Sequence, residues 1–166
     1  FGTYYRKKKI GSFGDITCFS FDGIKNITSG EGGCVVTHDL NIIKKIKTYR
    51  VLGIEKPIKN KIRNWRYNIK VQGWRYHMSD IMAAIGIVQL KRLKILRKIR
   101  QNLAKNYDKI ILNNINISSF VRDYSKTNPH IYLIKIKKKT NITNFRKFLL
   151  KNNIETGLHY QPNHLL

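Results

Sequence analysis

From Ser79 onward the apolar residues Ile81, Ile85, Val88, Leu96, Ile99, Leu103 and Tyr107 recur at intervals of three, four and eight residues. That spacing keeps them on one side of a helix. Ser79 suits the cap and Asp80 the positive end of the helix. A helix of about thirty residues is longer than most in globular proteins, so it is expected to bridge two domains. The expected division is 1–78, a connecting helix over 79–110, and a second, partial domain over 111–166.

Ahead of the helix, Ile16 to Phe21 (ITCFSF) has the β-branched and aromatic composition of a strand, and Gly33 to Thr37 (GCVVT) reads as another. The glycines after Ser29 break any continuation between them, which leaves Lys25 on the connecting turn. Ile42, Ile43, Ile46 and Tyr49 show helical spacing over Asn41 to Arg50, with Gly53 and Pro57 as stop signals. The pattern lapses from Glu55 to Gln72, where a long surface loop is expected.

Beyond the helix the chain changes character. Ile131 to Ile136 alternates like a half-buried strand, Asn144 to Asn152 forms a short amphipathic helix around Phe145, Phe148 and Leu149, and Ile154 to Tyr160 suggests another strand. This order opens a small α+β unit.

With 42% of its 166 residues hydrophobic, the chain has the material for a core and is expected to be globular. It carries neither a run of about 18 apolar residues nor an apolar signal core near Phe1, so neither a membrane span nor a signal peptide is read. It starts at Phe1 without Met and stops at Leu166 on a hydrophobic residue, and both ends are expected to be cuts. Cys18 and Cys34 lack metal-ligand or disulfide spacing. They are expected to be small buried hydrophobes in a reducing, cytoplasmic compartment.

The 33 Lys and Arg against 9 Asp and Glu give a net charge of +24, enough to attract any polyanion nonspecifically. The basic residues are scattered among Ile and Asn, residues that A+T-rich codons encode, so compositional drift is preferred to a specific nucleic-acid function. Trp65, Tyr67, Trp74 and Tyr76, interleaved with Arg63, Arg66 and Arg75, would also suit base stacking.

A lysine captures a carbonyl only if its position is fixed and its amine can shed its proton. A tight turn after a strand meets the first condition for Lys25, and neighbouring glycines allow close backbone approach to a ligand. Ser20 lies near enough in sequence for its hydroxyl to reach a phosphate on the same small molecule. Pyridoxal phosphate has an aldehyde and a phosphate so disposed. By itself, a lysine in such a turn is far more often a solvated surface charge, and Glu31 is read as a brace within it.

Three separated stretches agree with one family in order: GSFGDITCFSFDGIKNITSGEGGCVVT, GWRYHMSDIMAAIGIVQLKRL and NIETGLHYQPNHL. Together with HIYLIKI at His130, they resemble the DegT/DnrJ/EryC1/StrS aminotransferases, which aminate keto sugars on nucleotide carriers. The resemblance implies an α/β, fold-type I pyridoxal-phosphate transferase of the aspartate aminotransferase kind. Here 1–78 is the end of the large cofactor domain and 111–166 the start of the small one. It implies Lys25 as the Schiff-base lysine, Ser20 on the cofactor phosphate, glutamate as the usual amino donor, and a homodimer. A lysine at position 25 resembles the transaminating branch and not the dehydrating one.

The second stretch departs from the family's Gly-aromatic-Asn-Tyr-Arg: Arg75 stands in the Asn place and His77 in the Arg place. Arg75 is a candidate for pairing with the phosphate of the neighbouring subunit's cofactor, and His77 is read as a structural histidine. In the third stretch the resemblance puts His159 and Tyr160 on the substrate side, with His164 beyond them and no metal site. The family's acid for the pyridinium nitrogen, its stacking aromatic and its first phosphate-binding turn would all precede Phe1. The chain alone is therefore expected to be inactive, to bind the cofactor weakly, and to expose uncovered sheet edges. A catalytically inactive remnant or interaction module of the same fold is the alternative function, ahead of a basic nucleic-acid-binding domain.

Overall fold

The computed structural model describes residues 1–55, 68–136, 141–160 and 163–165. Four two-stranded antiparallel pairs and three α-helices make up its regular structure. They fall into two compact units, one of Phe1–Asn106 with Arg122–Tyr132 and one of Tyr107–Val121 with Leu133–Leu166.

In the first unit, β1 (Tyr4–Tyr5) pairs with β2 (Lys8–Lys9), and β3 (Thr17–Ser20) pairs with β4 (Gly33–Val36). The second pair sets Thr17 against Val36 and Ser20 against Gly33. Helix α1 (Leu40–Tyr49) follows, its first turn capped by the Asp39 carboxylate, which accepts from the Asn41 and Ile42 amides at 2.7 and 3.3 Å. An aspartate here satisfies amide groups that lack an intrahelical partner.

The chain leaves α1 through Gly53, whose φ of +74° is closed to most side chains. A Cβ on Gly53 would lie 1.8 Å from the Val71 carbonyl oxygen, and one on Gly73 would lie 2.0 Å from the Gly53 nitrogen. Two bare backbones thus touch. They bring together β5 (Ile54–Glu55) and β6 (Asn68–Ile69), paired as Ile54 with Ile69 and Glu55 with Asn68. The surface loop expected from Glu55 to Gln72 is therefore corrected at both ends, because its flanks form a ladder. Residues 56–67, with Arg63, Trp65, Arg66 and Tyr67, lie outside the described residues.

Helix α2 (Asp80–Ile111) starts at Ser79, whose hydroxyl accepts the Met82 amide at 3.3 Å. It gives its residues up to Asn106 to the first unit and the rest to the second. Its apolar stripe is open: Ile81, Ile85, Val88, Ile99 and Leu103 are all exposed, and Ala104 alone among its described residues is buried. Its polar side chains hydrogen-bond the segment Arg122–Tyr132. Arg97 donates to the Ser125 carbonyl at 2.6 Å and Gln101 to the carbonyls of Tyr124 and, at 2.8 Å, Thr127.

The expected core is corrected accordingly. Ile27 and Ala104, 2% and 3% exposed, are the buried hydrophobic residues among those described. Among the described residues each sheet has two strands, so each of those strands is an edge. Cys18 is exposed and Cys34 half-buried for the same reason, against the expectation of buried thiols.

In the second unit, β7 (Ile117–Ser119) pairs with β8 (Ile134–Ile136), and α3 (Ile142–Lys151) is capped by Asn141, whose side chain accepts from Asn144 at 3.1 Å. The strand expected over Ile154 to Tyr160 does not form. That stretch is held to α3 instead, with Arg146 donating to the Thr156 hydroxyl and carbonyl at 3.1 and 3.0 Å. No described helix is long and apolar enough to cross a membrane.

Candidate functional site

The connection from 21 to 32 between β3 and β4 is a structured loop. The Phe21 amide donates to the Gly32 carbonyl at 2.8 Å, and the Phe21 carbonyl receives the Ser29 amide at 2.9 Å and the Thr28 hydroxyl at 3.1 Å. The loop turns inward at Asn26, Ile27 and Ser29, all buried. Gly33 returns it to the ladder, where a Cβ would lie 2.6 Å from the Phe19 carbonyl oxygen. Any other residue there would push the strands apart.

Lys25 stands half-buried between exposed Ile24 and buried Asn26. Asp22 sets its position: the Asp22 carbonyl accepts the Lys25 amide at 3.0 Å and its carboxylate accepts the Ile24 amide, also at 3.0 Å. An aspartate that bonds its own backbone two residues on makes such a turn without help from elsewhere. The Asp22 amide in turn donates to Ser20 Oγ at 3.3 Å. Ser20 and Lys25 are thus linked through one residue.

Among these residues, two suit pyridoxal phosphate. The Ser20 hydroxyl is exposed at the end of β3, and because its oxygen already accepts from Asp22, its proton is directed elsewhere, as a phosphate oxygen requires. Lys25 supplies the amine for the aldehyde. The acids ahead of Lys25 do not suit the ring nitrogen: Asp15 is exposed and Asp22 is engaged in the turn. The residues present fit the phosphate and aldehyde ends of the group and not its ring.

Trp74–Tyr76 is fastened to the end of α1 by the Trp74 amide on the Tyr49 carbonyl at 2.7 Å and the Tyr76 amide on the Arg50 carbonyl at 2.9 Å. Tyr49 meets Trp74 edge-on at 6.3 Å and Trp74 stacks on Tyr76 at 6.2 Å. These rings, with Cys34, Arg50, Arg75 and His77, line an open cleft of about 910 Å³. Ser20 and Lys25 are not on its wall. His77 is exposed there. Burial, with the neighbouring Cys18 adding to it, raises the pKa of the Cys34 thiol, which keeps it protonated at neutral pH.

Glu31 is exposed on the same wall and braces the turn through its carbonyl, which accepts the Ser29 hydroxyl at 2.6 Å. His159 and Tyr160 belong to the second unit, where both are exposed and their rings stack at 4.7 Å. Among the described residues no group of three or more His, Cys, Asp or Glu is arranged to hold a metal.

Asp22, Asn26 and Asn128 organise the lysine turn and were not singled out from the sequence. Asp22 had a signal, in Asp-Gly after a strand. Asn26 and Asn128 had none, because their contact spans 102 residues.

Comparison with known proteins follows the same lines. The DegT/DnrJ/EryC1/StrS aminotransferase family matches residues 1–166. An uncharacterized protein of Methanocaldococcus jannaschii is 42% identical over 99% of this chain and 44% of its own length. A UDP-4-amino-4,6-dideoxy-N-acetyl-beta-L-altrosamine transaminase of Campylobacter jejuni is 35% identical over 97% of this chain and 42% of its own length. Among solved structures, Helicobacter pylori PseC, an aminotransferase involved in the biosynthesis of pseudoaminic acid, superimposes with a TM-score of 0.88 at 32% identity, covering 97% of this chain and 43% of that one. The chain thus spans less than half the length of the curated relatives it matches.

Proposed function

Because the chain belongs to the DegT/DnrJ/EryC1/StrS aminotransferase family and has part of the fold-type I architecture, we propose that the full-length protein is a pyridoxal-phosphate-dependent aminotransferase. It moves an amino group, from glutamate in this reading, to a nucleotide-linked keto sugar for surface-polysaccharide or modified-sugar synthesis. The observation that carries the reading is the hydrogen-bonded link from Ser20 through Asp22 to Lys25.

When bound, pyridoxal phosphate supplies an electron sink that acidifies the Cα–H of the amino donor. Ser20 Oγ would donate to its phosphate, and Lys25 would hold its aldehyde end and carry the donor's Cα proton at Nζ, which requires a neutral amine at that moment. Arg75 would pair with the phosphate held by a second subunit, with the enzyme acting as a homodimer. His159 and Tyr160 contact the substrate in this reading. In this reading 1–78 completes the large domain, 79–110 connects, and 111–166 begins the small domain. The free thiols Cys18 and Cys34 suit a reducing cytoplasm.

The test is spectroscopic. Full-length protein with added pyridoxal phosphate is expected to show a visible absorption band that Lys25→Ala abolishes, and a band that survives the substitution removes Lys25 from this role.

A further inference from the structure

The turn that carries Lys25 is tied to a residue 104 positions beyond its neighbour Asn26. Asn26 is 8% exposed and uses both ends of its amide. Its Nδ2 donates to the Asn128 carbonyl at 3.2 Å, and its Oδ1 lies 3.1 Å from His130 Nδ1. A carbonyl only accepts, so the first contact identifies the nitrogen end of the amide. The other end is then an acceptor, and His130 Nδ1 must carry the proton between them.

The partners are themselves held. Arg100 on α2 donates to the His130 carbonyl at 3.2 Å. Asn128, also buried, donates its backbone amide to the Thr3 hydroxyl at 3.0 Å and its Nδ2 to the Phe1 carbonyl at 2.8 Å.

We propose that His130 is a positioning residue for Lys25, acting through Asn26. The Nδ1–H of His130 fixes the Asn26 amide, and that buried amide fixes the backbone from which Lys25 projects. His130 touches no reacting atom. The inference rests on the reading of Lys25 as the cofactor lysine. Its functional weight follows from geometry, since a displacement of about 1 Å at a reacting group costs on the order of a hundredfold in rate.

The experiment uses the full-length protein loaded with pyridoxal phosphate. His130→Phe fills the ring's space, keeps water from the Asn26 oxygen and offers no donor, whereas His130→Asn places an amide N–H at the position of Nδ1. The readouts are the visible circular dichroism of the bound cofactor, kcat and KM for the amino donor, and the thermal midpoint. His130→Phe is expected to lower kcat about tenfold with KM nearly unchanged and to weaken the dichroic band, and His130→Asn to restore both. A His130→Phe protein that loses only thermal stability overturns the proposal, as does a His130→Asn protein no better than His130→Phe. Should His130→Phe fail to fold, His130→Gln, with its donor one carbon farther out, must show the weakened band and kcat, and unaltered values overturn the proposal. If the wild type lacks the band, or Lys25→Ala retains it, the reading of Lys25 fails and this inference with it. That failure appears before any His130 variant is compared.

Discussion

Ser29, with no exposed surface, donates its hydroxyl to the carbonyl of Glu31 at 2.6 Å and so closes the loop that presents Lys25. The bond lies inside the turn, where water cannot replace it. Ser29→Ala is expected to lower the unfolding free energy of the full-length protein by about 1–3 kcal/mol. Urea denaturation checks this, and an unmoved midpoint would show that the hydroxyl does not hold the loop.

Gly33→Ala should be harsher for function than for folding. The added Cβ would meet the Phe19 carbonyl oxygen at 2.6 Å, directly across the ladder from Ser20. Relief requires the strands to part, at a cost of about 1–3 kcal/mol, and the residue displaced is the one assigned to the phosphate. A titration with pyridoxal phosphate is expected to show weaker binding in this variant, with Gly86→Ala on α2, where a Cβ meets Ser29 Cβ at an ordinary 3.6 Å, as a milder comparison.

Lys25→Ala is expected to lower transaminase activity at least about a hundredfold, the scale of a lost general acid and base. Arg75→Ala should weaken cofactor binding by about 1.5–3 kcal/mol, the value of a hydrogen bond to a charged group. With Arg75 serving the cofactor of a second subunit, as proposed, the two variants, refolded together, should recover activity that neither has alone. Mixed subunits with no recovery would place Arg75 and Lys25 in the same site of one chain.

Acid should loosen the segment that grips α2. The Lys126 ammonium, 2.8 Å away, and then the Ser125 hydroxyl and amide hold the Asp123 carboxyl at a pKa of about 2, against an ordinary 3.8. A carboxyl depressed on folding adds stability above its unfolded pKa, and the contribution fades as pH falls toward the folded one. Wild-type and Asp123→Asn stabilities should therefore differ above pH 3.8 and converge near pH 2. Parallel curves across that range would contradict the assignment. Asp123 is exposed, so the difference should be small and sensitive to salt.

Local signals marked out β3, β4, α1, α2 and α3 because each rests on spacing or on a cap within a few residues: Asp39 and Ser79 cap by their own side chains. Lys25 and Ser20 were legible only through the order of the surrounding stretches, since a lysine beside glycines is not distinctive. The extended stretch after Ile154 was misjudged as a strand because β-type composition does not provide a partner. The glycine contact between positions 53 and 73 left no trace in spacing, although both glycines were visible.

The sequence by itself determined the helices, the lysine turn and the family, because these depend on neighbours along the chain and on motif order. Only the tertiary structure decided that Asn26 is fixed by Asn128 and His130, and that polar side chains of α2 bond the 122–132 segment while much of its apolar stripe stays open. Each of those depends on groups brought together from distant parts of the chain. Hydrogen-bond partners and covered faces are properties of the packed backbone, and periodicity shows which side of a helix is apolar without showing what, if anything, meets it.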